Sequence, residues 1–158
     1  MTKEEINAFT LRITQSNRTE LIAVLFEIYK AYERDALEAI DKNDNEAALK
    51  ALKKCVETVS HLQKDLDFQY DIAKELYALY DFVQRSLSKT IYSLRKSGIE
   101  EAAVVMDGLA NAFRTIAKND SSKPVMTNIQ TVYAGMTYGR NSLTESVMEG
   151  TRPRGFYA

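Results

Sequence analysis

The sequence predicts an all-α protein: an antiparallel four-helix bundle with a short N-terminal segment and a C-terminal extension that has room for a short fifth helix. Three observations carry this. Four stretches repeat apolar residues at the 3.6-residue helical period, short polar breaks separate them, and no strand-like alternation or βαβ rhythm competes. The 158 residues suffice for one domain with a real core and are too few for two comfortable ones. The expected division is a bundle over 1–122 and an extension over 123–158.

Residues 1–16 carry Ile6, Phe9, Leu11 and Ile13, an amphipathic piece too short to stand alone. Asn17 opens the first long helix as its cap, and Glu20 three residues later completes a capping-box arrangement. Leu21, Leu25, Ile28, Tyr29, Tyr32, Ala36, Ala39 and Ile40 share one face, until the turn-prone KNDN ends the helix near Lys42. The second helix starts at Asn43 or Asp44. Its Leu52, Val59 and Leu66 recur every seven residues with Ala48, Cys55 and Leu62 between them, a bundle seam.

After a break around Asp67 to Tyr70, a third helix runs to about Arg95. Ile72, Leu76, Leu79, Val83, Leu87 and Leu94 form its stripe, with Tyr80 at the edge. Tyr70, Tyr77 and Phe82 fall outside that stripe, so this helix has either a second neighbour or a binding face to cover. Ser97-Gly98 ends it and caps the fourth helix, with Ser97 answered by Glu100. Ile99, Ala102, Met106, Leu109, Phe113 and Ile116 make the fourth face. Beyond Ser122, Ile129, Val132, Tyr133 and Met136 keep helical spacing, and the final GTRPRGFYA reads as a loose end.

Chemistry finds little support in these residues. Net charge is −1, which gives no general attraction to nucleic-acid phosphates or anionic lipid. The single cysteine, Cys55, excludes an internal disulfide and any CxxC zinc pattern. Phosphate-cradling loops, GxSxG and HExxH are missing, and one histidine in the whole chain cannot supply ferritin-like metal pairs. No enzyme, metal or cofactor is expected. His61 and Lys64 have the spacing of phosphotransfer bundles, but Asp65 follows where such domains carry a small glycine, and its carboxylate would repel phosphate. The start MTKEEINAF lacks a signal-peptide core and no run nears the ~18 apolar residues of a bilayer span. A cytoplasmic address without membrane insertion is expected.

The stretch HLQKDLDFQYDIAKELYALYDFVQRSL resembles the flagellar export chaperones called FliS. That family has a leucine-rich helix ending in Leu-Asp, here Leu66-Asp67, then Leu-Tyr-Asp-Tyr/Phe followed by Arg and Leu, here Leu79-Tyr80-Asp81-Phe82, Arg85 and Leu87. Leu25-Phe26-Glu27 is similar to its first-helix Leu-Tyr-Asp/Glu, and Phe113 stands where the family often carries tryptophan. Arg18 replaces a helix-start proline, the turn Phe68-Gln69-Tyr70 is more apolar than the family's glycine-containing one, and the tail after Met126 has no counterpart.

The resemblance implies a non-enzymatic chaperone whose partner is the disordered C-terminal segment of flagellin, held as short helices and extended pieces without ATP, with export apparatus components as further partners. The candidate client-binding residues are Phe26, Tyr29, Tyr77, Tyr80, Phe82, Val83, Leu87 and Phe113, of which Tyr80, Val83 and Leu87 also suit the core. Ile129, Val132, Tyr133 and Met136 are candidates for a tail that covers the same apolar surface until the client arrives. A regulatory or phosphotransfer-like bundle with another protein partner is the competing class, and the sequence leaves the oligomeric state open.

Overall fold

The computed structural model describes residues 1–126. Five helices account for most of them: α1 Lys3–Gln15, α2 Arg18–Asp41, α3 Asn45–Lys64, α4 Ile72–Ser93 and α5 Ser97–Asn119, with no strand among the described residues. Helix α2 packs on α3 and α5, α3 on α4, and α4 on α5, so the four long helices meet in cyclic order, while α1 lies against α2 alone.

Local signals set most of the boundaries. The Asn17 side chain accepts from the Glu20 N–H and the Glu20 carboxylate accepts from the Asn17 N–H, both legs of a capping box. Thr2 and Glu5 repeat the device on α1, and this turns the short N-terminal piece into a formed helix. Asn43, at φ 56°, takes the left-handed turn that asparagine tolerates, and Asp44 then caps α3 through the Ala47 N–H.

The α4–α5 turn differs from expectation. Ser97 is the first residue of α5 rather than its cap, and Lys96 precedes it with no side-chain cap. The chain reverses through Leu94, left-handed at φ 53°, whose N–H bonds the Thr90 carbonyl at 2.7 Å. Gly98 serves packing instead. A Cβ there would stand 2.3 Å from the Ser86 carbonyl oxygen and 2.5 Å from Thr90 Oγ1, so α5 can approach α4 only without one.

The core follows the α3 seam. Leu52, Cys55, Val59 and Leu62 are buried against Phe26, Tyr29 and Ala36 of α2, Tyr80, Val83 and Leu87 of α4, and Ile99, Ala102 and Met106 of α5. Burial pushes the Cys55 thiol well above its ordinary range, consistent with a small hydrophobe and not a reactive group. Past α5 the chain folds back over the α1–α2 junction. Asn17 Nδ2 donates to the carbonyls of Asp120 at 3.2 Å and Ser122 at 3.4 Å, Thr19 Oγ1 donates to Asp120 Oδ2 at 2.5 Å, and the Val125 N–H donates to the Ser16 carbonyl at 3.1 Å.

Candidate client-binding surface

Five of the eight candidate residues fill the interior. Phe26, Tyr29, Tyr80, Val83 and Leu87 are each at most 2% exposed and belong to the core. Phe26 stacks on the half-buried Phe113 with ring centroids 5.4 Å apart, a contact that ties α2 to α5. Tyr77 and Phe82 are exposed, at 46% and 40%. Ile129, Val132, Tyr133 and Met136 lie outside the described residues.

The reason is a rotation of the buried arcs. On α4 the core side centres on Ala73, Tyr80, Val83, Leu87 and Thr90, because α3 and α5 flank it on both sides. Tyr80 therefore sits inside, and its phenol is pushed up to about 12 by burial. Ile72 and Leu79, expected to pack, stand 57% and 38% exposed. On α2 the second neighbour, α5, draws Phe26 inward in the same way.

What this rotation leaves outside is a largely apolar strip, with Glu75 between Ile72 and Leu79. Gly98 lies against Ser86 and Thr90, and the Ser86 hydroxyl donates to Glu101 at 3.0 Å, which fixes the antiparallel register of α4 and α5. Continued at helical rise about two, three and five turns beyond Gly98, that register brings Val105 level with Phe82, Gly108 with Leu79, and Ile116 with Ile72. Ile116 is exposed like its partner, and so are Gly108 and Ala112, whose small side chains lower the floor between the two rows. A Cβ on Gly108 would meet nothing within 4 Å. From Ile72 to Phe82 the strip is about 15 Å long at helical rise, room for about three turns of a docked helix. On the other flank of α4, Tyr77 pairs with Phe68 of the α3–α4 turn at 5.9 Å, and Tyr70 of that turn is exposed.

The strip carries no chemistry. No group of three or more His, Cys, Asp or Glu able to hold a metal exists among the described residues. His61 is exposed on the last turn of α3. Sequence spacing found Tyr77 and Phe82 because they break the stripe. It missed Ile72, Leu79, Gly108, Ala112 and Ile116, since leucine or isoleucine at stripe spacing reads as core and a lone glycine in a helix gives no signal of open space.

A family model, described as flagellar protein FliS, matches residues 6–120, most of the chain and all four long helices. The chain belongs to the FliS family. FliS proteins are flagellar export chaperones without enzymatic activity. No individually curated protein matches the chain. Among the described residues, no helix is long and apolar enough to cross a membrane.

Proposed function

We propose that this FliS-family chain holds the C-terminal segment of flagellin along the α4–α5 strip, keeping the subunit from polymerising before export. The four long helices act as an antiparallel bundle that presents this surface. One observation supports the reading: Ile72, Leu79 and Phe82 of α4 and Gly108, Ala112 and Ile116 of α5 are exposed on the flanks where the two helices pack, with half-buried Val105 among them and Glu75 the one acidic side chain between Ile72 and Leu79. Helix-in-groove recognition needs an apolar row at i, i+3, i+4 and i+7 on the client and a matching trough on the host. Ordering a disordered client costs about 2–5 kcal/mol or more, so the trough must return apolar burial at about 25 cal/mol/Å². Phe68 and Tyr70 of the α3–α4 turn, with Tyr77 on the α3 flank of α4, offer a second exposed aromatic contact.

Calorimetric titration with the last ~40 residues of flagellin, a length suited to burying ~1,000–3,000 Å², tests this. Tight binding with a negative heat-capacity change is expected. Phe82→Ser and Leu79→Ser should each weaken binding at least tenfold with helicity retained, and Gly108→Leu should block the trough without a folding cost. Unchanged affinity in all three would remove the strip from the account.

The sequence also suggests that residues 126–136 cover apolar surface of this or a neighbouring chain until the client displaces them. A chain ending at residue 126 keeps the Val125–Ser16 bond. It should bind flagellin more tightly than the full chain, and equal affinity would overturn the idea.

A further inference from the structure

A second feature lies on another side of the molecule. Helices α1 and α5 both flank α2 without packing on each other, and between them opens a cleft of about 710 Å³. Phe9, Leu37, Met106 and Ala110 give it apolar walls. Two polar side chains that line it are almost fully buried: Tyr29 at 1% and Glu33 at 3% exposure. Neither Tyr29 Oη nor Glu33 Oε2 has a hydrogen-bond partner. Glu33 Oε2 stands 3.2 Å from Lys30 Nζ, at ion-pair distance but without hydrogen-bond alignment, and Oε1 receives a long bond of 3.4 Å. Lys30 is held more closely by Asp107, at 2.9 Å.

Two carboxylates thus share one ammonium, and a buried tyrosine hydroxyl of a residue lining the same cleft has no partner. Unmet polar groups of this kind are costly in a finished core. They are an asset in a site that a partner completes. The other acids at the cleft are already answered, Glu5 by Arg34 and Glu27 by Arg12. Arg114 lies two turns beyond Asp107 on α5, about 10 Å along the axis, so the excess negative charge is confined to the Glu33–Asp107 end.

We propose that this cleft is a client subsite for one cationic side chain with an aliphatic stem, a lysine or arginine of the bound segment. The stem lies along Phe9, Leu37 and Met106, the charged end reaches Glu33 and Tyr29 Oη, and Lys30 stays with Asp107. This rests on the client reading above and adds a polar anchor to its apolar strip, on a different pair of helices, so that one client would span both.

A double-mutant cycle decides it. The flagellin C-terminal segment, and versions with each lysine or arginine replaced in turn by methionine, are titrated into the unaltered chain, Glu33→Gln and Tyr29→Phe. Glu33→Gln should lower affinity about tenfold and Tyr29→Phe about threefold, in line with a hydrogen bond to a charged group and a neutral one. The melting temperature of either free variant should be equal or higher, because Tyr29→Phe removes a buried hydroxyl with an unmet bond and Glu33→Gln replaces a desolvated carboxylate by a neutral side chain. The Glu33→Gln loss should vanish when one particular client cation is methionine. If both variants bind like the unaltered chain, or if the loss is the same for every client version, the subsite is overturned while the chaperone reading stands. If the unaltered chain binds no segment, the chaperone reading fails and the subsite falls with it.

Discussion

Two glycines on α5 show how one residue type answers to two physical demands. Gly98 stands where a methyl group would collide with the Ser86 carbonyl, which is backbone and cannot swing aside. Gly98→Ala should destabilise the fold by about 1–3 kcal/mol, seen as a lower urea midpoint with an unchanged slope. Gly108 faces open space, and Gly108→Ala should raise stability by about 0.5–1 kcal/mol through helix propensity alone. Two carboxylates divide in the same way. Burial raises the Glu33 pKa, partly offset by Lys30, whereas the Thr19 hydroxyl and then Ser122 lower that of Asp120. A raised folded-state value means that the Glu33 contribution is fully present below the ordinary carboxylate range and is lost as pH rises through the folded pKa. A lowered one means that the Asp120 contribution is present above that range and is lost as pH falls. Stability followed against pH should therefore fall less steeply on the rising limb in Glu33→Gln, while Asp120→Asn should flatten the acid limb. Identical profiles in all three proteins would contradict both assignments.

At the scale of the element, α1 stands apart from the other helices. Its capping box makes it a helix, but its attachment to α2 is largely ionic: Arg12 to Glu27, Glu5 to Arg34 and the N-terminal ammonium to Asp35. The Arg12 guanidinium holds the Glu27 carboxyl below its usual range, and the pair is partly exposed, so it stays sensitive to salt. Raising ionic strength from about 0.05 to 1 M shortens the Debye length to about 3 Å. Hydrogen exchange of the α1 amides should then quicken several-fold while α3 and α4 core amides hold their protection. Uniform quickening would mean that α1 is as firmly built in as the rest. Helix α4 has the opposite character, with a buried side fixed by two neighbours and a strip that no described element covers.

For the molecule as a whole, the signals legible in sequence were those that act within a few residues. The Asn17–Glu20 box, the Asp44 start and the Ala48–Leu52–Cys55–Val59–Leu62 seam all lie where the spacing sets them, because each depends on one helix and its own turn, while Leu66, expected to continue the seam, falls past the end of α3 and is only half-buried. The rotation of α4, the burial of Phe26, and the purpose of Gly98 depend on which helices become neighbours, and a period along one chain carries no such information. The same limit hid the bonds that fold residues 120–125 onto Asn17, Thr19 and Ser16. Those bonds join groups 101 to 109 positions apart, from Thr19–Asp120 to Ser16–Val125, in a chain whose helices are otherwise joined by short turns. Closing so long a loop costs entropy that only a nearly complete molecule repays, so this clasp forms late in folding. Asn17→Ala should accordingly leave the refolding rate close to that of the parent once the lost cap of α2 is accounted for, and should speed unfolding. The clasp then works as a brake on opening: it adds little to how quickly the chain finds its fold and much to how long the fold lasts.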